Sequence, residues 1–170
     1  MSKLERLTHI CLIAACVVSL GLLLERRFAP ARSTHSPRLD GLIGKRLDLP
    51  GANWKSSKVN VVLFLNTHCH FCENSIPFYR EVAGLRQVHP NDLSLSVLSV
   101  EPAEVMKLYL GNRQVPNDGV YGLPPALQRV ASTPTLLLVG EDGTIRKIYS
   151  GELDEPRRRE VLTILRKGSV

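Results

Sequence analysis

Cys69 and Cys72 are the residues whose type and spacing point most directly to chemistry. They follow an apolar run, 59–65, which predicts a buried strand, and they precede a run of apolar residues at helical spacing. Free backbone N–H groups at the start of a helix stabilise a thiolate, so we expect Cys69 to be a nucleophile. Cys72 would lie one turn further in and more buried, where it can attack a mixed disulfide formed at Cys69. The pair therefore predicts thiol–disulfide exchange, in which the dithiol itself is the redox group and no organic cofactor is needed.

The same stretch allows a second interpretation as a metal site. His68 and His70 stand beside Cys69 and Cys72, and soft thiolate and imidazole ligands suit Cu(I) or Zn(II). Two cysteines three residues apart do not supply a closed tetrahedral zinc site alone, and the sequence contains no second Cys-x-x-Cys or His-x-x-His motif. A copper or zinc metallochaperone stays open as the alternative, to be distinguished by stoichiometric metal binding at physiological pH.

The chain after residue 41 predicts the elements that would position such a pair. Apolar runs predict strands, and apolar residues at helical spacing predict helices. The pair Asp142-Gly143 between two apolar runs indicates a β-hairpin. In chain order we expect a strand over 42–49, a strand over 59–65, a helix ending near 89–90, a strand over 93–100, a helix over 103–110, a loop over 111–122, a helix over 124–130, strands over 135–139 and 145–149, and a last helix from 155. This order predicts a small α/β domain whose sheet carries helices on both faces.

Charge gives no support for a nucleic-acid partner. The chain of 170 residues carries a formal net charge of +6. Five of its 22 Lys and Arg but only two of its 16 Asp and Glu lie before Ser33, so the remaining part carries only +3. There is no basic stripe interleaved with aromatic residues, and we therefore expect no binding to nucleic acid.

The N-terminal segment predicts a membrane anchor. Residues 10–24 carry no charge, and adding 7–9 gives a helical span of about 27 Å, enough to cross a bilayer core. Lys3 and Arg6 in front of it are typical of a signal anchor. We expect a tail over 1–6, a transmembrane signal-anchor over 7–25, a linker over 26–41 and the globular domain over 42–168. Two alternatives stay open, namely cleavage after Ala29-Pro30-Ala31 and a lipoprotein modified at Cys16.

Two rules disagree on the orientation of this anchor. The anchor is followed by more basic residues than precede it, namely Arg26, Arg27, Arg32 and Arg38. The positive-inside rule therefore places the domain in the cytosol. Disulfides, however, form and persist outside the cytosol. We expect a single-pass membrane protein whose domain lies on the extracytoplasmic, periplasmic side.

Together these residues resemble the thioredoxin fold and, within it, the membrane-tethered TlpA/ResA-like thiol:disulfide oxidoreductases, over about 42–165. Three features carry the resemblance: Cys69-His70-Phe71-Cys72 after an apolar strand, Pro77 five residues past the second cysteine, and Thr133-Pro134-Thr135 before the hairpin. The resemblance implies a thioredoxin-like fold, with a central mixed sheet and helices on both faces. It implies that Pro134 is a cis-proline packed against the dithiol, that Thr133 is a backbone clamp for the substrate, and that Pro77 kinks the active-site helix. It also implies protein thiol or disulfide clients, with an electron donor or acceptor that the sequence does not identify.

Four positions depart from the pattern of this family. His68 stands where the family usually has Trp, Leu63 stands where thioredoxins have a buried acid, and His-Phe separates the cysteines. We treat His68 and His70 as candidate tuning residues, because a protonated His70 beside the helix start would favour the Cys69 thiolate. Stabilising the reduced form makes a couple more oxidising, so we expect a Cys69 pKa below that of free cysteine and a more oxidising potential than that of a thioredoxin with Gly-Pro. Tethered members of the family usually act as reductants, which leaves the direction of electron flow open.

Overall fold

The computed structural model describes residues 37–128 and 132–170, together with Ile13. The chain divides into two units after Ser33, and all described residues except Ile13 belong to the second unit. The predicted anchor over 7–25 therefore lies outside the described residues apart from Ile13, as do the predicted tail and the first part of the linker. Within the part of the chain that is described, no helix is long and apolar enough to cross a membrane.

A five-stranded mixed sheet forms the centre of the domain, with strand order β3-β2-β1-β4-β5, and a central mixed sheet is what the resemblance implies. The strands are β1 (Val59–Phe64), β2 (Leu93–Ser99), β3 (Gly119–Gly122), β4 (Thr135–Gly140) and β5 (Ile145–Ser150). β1 pairs in parallel with β2, and β2 with β3, whereas the β1–β4 and β4–β5 pairs are antiparallel. Every residue of β1 is buried, which is why its sequence is a nearly continuous apolar run rather than an alternating one.

Helices and the N-terminal part of the domain cover the two faces of the sheet. The helices are α1 (Pro37–Asp40), α2 (His70–Asn74), α3 (Ile76–Val88), α4 (Ala103–Asn112), α5 (Pro125–Gln128) and α6 (Glu155–Lys167), with a short 3-10 helix at Trp54–Ser56. Side chains of α3, α4 and α6 share one core cluster with one face of the sheet. Apolar residues from 39–54 and from α5 share a second cluster with the other face. The expectation of an α/β sheet covered on both faces is confirmed.

The start of the domain differs from the prediction. Residues 42–49 are not a strand, because the chain turns at Leu42, whose carbonyl accepts from the Lys45 N–H at 3.0 Å, and only an isolated antiparallel bridge joins Arg46 to Thr144. The Leu47 N–H donates to Gly143 O at 2.9 Å beside this bridge, but the bonds do not continue into a strand ladder, and the apolar pattern reflects side chains buried in the core. Leu39 is only 2% exposed and belongs to the same cluster, so the domain begins inside the segment predicted as linker.

Strand β3 is an element that the sequence analysis missed. The segment 111–122 is predicted as a loop, yet its last four residues pair in parallel with the end of β2, from Ser96 to Ser99. A four-residue strand that begins and ends with glycine carries too little β-branched or alternating character to be found by pattern. The helix before it extends to Asn112 rather than to residue 110. Of the helix predicted over 124–130, the described part is α5, and residues 129–131 lie outside the described residues.

The predicted hairpin between β4 and β5 is confirmed, and its glycine has two separate reasons to be there. The Gly143 N–H donates to Gly140 O at 2.9 Å, and Asp142 Oδ1 accepts from the Thr144 N–H at 2.9 Å. Gly143 has a φ of 78°, which side-chain-bearing residues rarely adopt. A Cβ atom at this position would also lie 2.8 Å from Cδ1 of the Trp54 ring, closer than packed atoms allow.

We predict that Gly143→Ala lowers the free energy of unfolding by about 1–3 kcal/mol, because it adds both a strained backbone angle and a clash with Trp54. Urea denaturation followed by circular dichroism measures this change. Gly84→Ala is the matched control: Gly84 lies within α3 with no atom near its Cβ position, so alanine there should stabilise the protein by up to about 1 kcal/mol. Equal effects of the two substitutions would contradict the prediction.

Candidate active site

The two predicted redox cysteines lie together at the start of α2. Cys69 is the N-cap residue of this helix, and the Cys72 N–H donates to Cys69 Sγ at 3.3 Å and to Cys69 O at 3.0 Å. Cys72 is fully buried, whereas Cys69 is partly exposed. Both thiols are free in the structure. The geometry therefore gives an incoming reagent access to Cys69 and shields Cys72 behind it.

The loop before β4 brings its backbone to the exposed cysteine. Phe64 at the end of β1 lies opposite Thr135 at the start of β4, so the segments beyond these residues meet at one edge of the sheet. The Thr133–Pro134 peptide bond is cis. Cys69 Sγ donates to Thr133 O at 3.4 Å. The Gly151 N–H donates to Pro134 O at 2.8 Å, which ties this loop to the end of β5.

The environments of the two thiols move their pKa values in opposite directions. Partial burial raises the pKa of Cys69, but hydrogen bonds with Cys72 and Thr133, together with backbone N–H groups of the helix start, outweigh burial and leave the pKa lowered. Burial, followed by the hydrogen bond with Cys69, raises the pKa of Cys72 to about 12. Since the thiolate is the nucleophile, the structure gives Cys69 the greater reactivity of the two.

Comparison with solved structures finds this arrangement of strands and helices in other proteins. A thiol-disulfide isomerase from Corynebacterium glutamicum matches with a TM-score of 0.57 at 20% sequence identity, over 74% of this chain and 97% of that one. A thiol:disulfide interchange protein of the thioredoxin family from Chlorobium tepidum matches with a TM-score of 0.51 at 19% identity, over 65% and 82%. The chain has the thioredoxin fold. A secreted disulfide oxidoreductase from Mycobacterium tuberculosis also matches, with a TM-score of 0.50 at 14% identity over 75% and 85%. No protein-family model and no curated protein matches the chain.

The helix that carries the dithiol in this thioredoxin fold is broken at a single residue, Ser75, two positions before Pro77, and a kink caused by Pro77 stays a prediction. α2 and α3 are separate helices joined at Ser75, whose hydroxyl donates to Phe71 O at 2.8 Å. Pro77 is the second residue of α3, where the N–H that proline lacks has no helical acceptor. Leu63, at the position of the acid in thioredoxins, is fully buried in the same core cluster as Cys72, so this position supplies no proton acceptor.

The two candidate tuning histidines make their contacts with residues other than the cysteines. The His68 side chain is 89% exposed, and its Nδ1 lies 3.4 Å from Glu101 Oε1. His70 Nε2 lies 3.4 Å from the side-chain nitrogen of Asn74, one turn along α2. The direction of the Cys69 pKa agrees with the expectation, but the groups that lower it are Cys72 and Thr133 rather than His70. A tuning role for either histidine stays a prediction.

The alternative interpretation as a metal site gains no support. Within residues 37–128 and 132–170, no group of three or more His, Cys, Asp or Glu side chains is placed to hold a metal ion. His68 is instead directed to Glu101 and His70 to Asn74, so the two imidazoles do not converge on the dithiol.

Two further contacts hold α2 from opposite sides, and the sequence analysis missed both. On one side, Glu73 Oε2 accepts from Tyr109 Oη at 3.0 Å and from Arg113 Nε at 2.7 Å. The hydrogen bond from Arg113 lowers the Glu73 pKa, so this carboxylate is charged, and the guanidinium lies 3.8 Å from the centre of the Tyr109 ring. On the other side, Asn74 Nδ2 donates to Glu152 Oε2 at 3.2 Å. No local sequence pattern indicates that the partners of Glu73 are Tyr109 on α4 and Arg113 just past its end.

We predict that alkylation separates the two cysteines by pH. The rate at Cys69 should rise through a pKa below that of an ordinary thiol, because the thiolate reacts and becomes populated as pH increases. At pH 7 it should exceed the rate at buried Cys72 by at least about a hundredfold. Iodoacetamide labelling of the reduced protein, with peptide mass spectrometry at each pH, measures both rates. Cys69 titrating like a free thiol, or Cys72 reacting equally fast, would contradict this prediction.

Proposed function

We propose that this protein is a membrane-tethered thiol:disulfide oxidoreductase that exchanges disulfides with protein clients through Cys69 and Cys72. The contact of Cys69 Sγ with Thr133 O at 3.4 Å, beside the cis Thr133–Pro134 bond, carries this proposal. It joins a reactive thiol to a backbone segment that can receive an extended chain. The disulfide activities in the names of the matched proteins from Corynebacterium glutamicum and Mycobacterium tuberculosis are consistent with it.

The asymmetry of the two thiols gives an order of steps. The Cys69 thiolate attacks one sulfur of a client disulfide, forming a Cys69–client bond while the other client sulfur leaves as a thiolate and takes up a proton. Cys72 then loses its proton and attacks Cys69 Sγ, forming the Cys69–Cys72 disulfide and releasing the second client thiol. Two electrons pass from the dithiol to the client, and the reverse sequence oxidises a client dithiol.

The hydrogen bond between the thiols favours this order of steps, because it raises the Cys72 pKa only until the mixed disulfide has formed. It is one of the causes, after burial, that hold the Cys72 pKa at about 12 in the reduced protein. Once Cys69 Sγ is bonded to a client, it carries no negative charge and no longer accepts the Cys72 proton as a thiolate does, so this contribution disappears. Cys72 therefore becomes easier to ionise at the step in which it must act as a nucleophile.

Thr133 and Pro134 are proposed to bind the client. The backbone of Thr133 would pair with an extended client segment, in the manner of a strand added to a sheet edge, while buried Pro134 fixes the loop against the dithiol. Because backbone pairing does not depend on the side chains of the client, it allows more than one protein client. The partner that restores the starting redox state of the dithiol is a second thiol or disulfide protein, an electron donor or acceptor of unknown identity.

The tether and the location rest on the sequence. The uncharged run over 10–24 lies outside the described residues apart from Ile13, and it supports an anchor that holds the domain at the membrane surface. An extracytoplasmic, periplasmic position is proposed because disulfide exchange has clients there. The matched protein from Mycobacterium tuberculosis is named as secreted, which is consistent with this side of the membrane.

Single cysteine substitutions test the proposed order of steps. With Cys72→Ser, the protein should accumulate a mixed disulfide at Cys69, because no second thiol resolves it; with Cys69→Ser, exchange should fall to the background level. The full-length protein in detergent, incubated with a disulfide-containing peptide and analysed by non-reducing mass spectrometry, shows both results. The wild-type protein equilibrated with glutathione buffers is the control. Failure to form the Cys69–Cys72 disulfide at any glutathione ratio would overturn the proposed function.

A further inference from the structure

Glu101 holds the two residues that precede the reactive cysteine. It stands just past the end of β2, and its own N–H donates to Ser99 Oγ at 2.9 Å. Its Oε2 accepts from the Thr67 backbone N–H at 2.8 Å, and its Oε1 accepts from the Thr67 hydroxyl. The same Oε1 lies 3.4 Å from His68 Nδ1. Both carboxylate oxygens are thus used on the segment that leads from β1 into the dithiol.

The hydrogen bonds around Thr67 also orient the neighbouring imidazole. The single hydroxyl proton of Thr67 is donated to Glu101, so Thr67 Oγ1 is the acceptor in its 3.0 Å contact with His68 Nδ1. This places the imidazole proton on Nδ1 and leaves Nε2 facing solvent. A carboxylate, a hydroxyl and an imidazole therefore form one chain of hydrogen bonds directly before Cys69.

Glu101 carries its charge at this place. Its side chain is only 15% exposed. Burial raises its pKa, but the hydrogen bonds from Thr67 and the nearby His68 outweigh burial, so the pKa is lowered and the carboxylate is ionised at neutral pH. Two peptide units, at most about 7 Å of backbone, separate the Thr67 N–H to which it binds from Cys69. Glu101 is therefore a fixed negative charge bound to the segment that leads directly into Cys69.

We propose that Glu101 is a positioning residue for the dithiol, which clamps Thr67 and His68 ahead of Cys69 and whose held negative charge shifts the couple toward the disulfide. This inference rests on the proposed function. A negative charge near Cys69 disfavours the thiolate and hence the reduced form. Disfavouring the reduced form makes the couple more reducing, which is opposite in sign to the effect expected of a protonated His70.

The test is the equilibrium of the full-length protein with glutathione, in which the protein disulfide and two glutathione thiols give the protein dithiol and one glutathione disulfide. Glu101→Gln keeps an acceptor for the Thr67 N–H and removes the charge. We expect it to shift the equilibrium constant toward the dithiol by at least about threefold, which is about 14 mV for this two-electron couple. The Cys69 thiolate, followed by its ultraviolet absorbance against pH, should also form at lower pH than in the wild type.

Two further variants separate charge from other effects. Glu104→Gln removes the same charge three residues away, where the side chain is 82% exposed and bonded to Lys107, so it should leave the equilibrium constant unchanged. Glu101→Asp keeps the charge on a shorter arm, and we expect it to stay closer to the wild type than Glu101→Gln does.

The outcomes also separate this inference from the proposed function. A wild-type protein that forms no disulfide with glutathione overturns the function itself. A wild-type protein that exchanges normally, with Glu101→Gln indistinguishable from Glu104→Gln, overturns only the inference. The inference is also overturned if Glu101→Gln shifts the equilibrium toward the disulfide, or if Glu101→Asp has an effect as large as that of Glu101→Gln. A Glu101→Gln protein that does not fold overturns it as well, because Glu101 then has a structural role alone.

Discussion

Pairing of the central strand β1 with its neighbours is the constraint on which the site depends. Both β1 and β4 are buried along their whole length, so alternation of apolar and polar residues does not fix their register. The buried amide of Asn60 supplies that information: it donates to Trp54 O at 3.1 Å and faces Gly140 O of β4 at 3.4 Å, while its oxygen accepts from Ser94 of β2 at 2.6 Å. A one-residue slip of either strand would leave this buried group without partners, at a cost of about 1–3 kcal/mol. The register that sets Phe64 opposite Thr135, and thereby brings Cys69 to the loop before β4, is held in this way.

Topology then decides which residues meet at the dithiol. β1 and β2 are parallel, so Cys69 and Glu101, each just past the end of its strand, reach the same edge of the sheet. β4 runs antiparallel to β1, so Thr133 reaches this edge from the start of its strand. β5 runs antiparallel to β4, so Glu152 reaches it after the strand's end and contacts Asn74 of the active-site helix. The Cys69–Cys72 motif after β1 is thus surrounded by groups from the ends of β2 and β5 and from the start of β4.

The sequence predicts the parts of this arrangement that local patterns encode. Cys69 and Cys72 after an apolar strand, the turn at Asp142-Gly143, and Thr133-Pro134 before the next strand can all be found without coordinates. The pattern predicts a strand over 42–49 because buried side chains in an irregular segment produce the same apolar spacing. It does not predict β3, because four residues bounded by glycines carry no period. Glu101 was missed for a different reason: its contact with Thr67 spans 34 positions, and only the parallel pairing of β1 with β2 makes them neighbours. Spacing along the chain finds nucleophiles more readily than the groups that tune them.

The neighbours of the dithiol also explain why a Cys-x-x-Cys motif does not by itself fix the direction of electron flow. Burial raises the Cys69 pKa, but hydrogen bonds with Cys72 and with the Thr133 side chain outweigh it and favour the thiolate, which by itself makes the couple more oxidising. The proposed action of Glu101 has the opposite sign, and buried Leu63 supplies no proton acceptor at its position. The threefold change expected on removing the Glu101 charge corresponds to about 14 mV, so a charge of this kind adjusts the potential of the couple rather than setting it alone. The residues between the cysteines make one contribution among several to the reduction potential of the dithiol. Other contributions come from groups that the fold, rather than the motif, brings to the site.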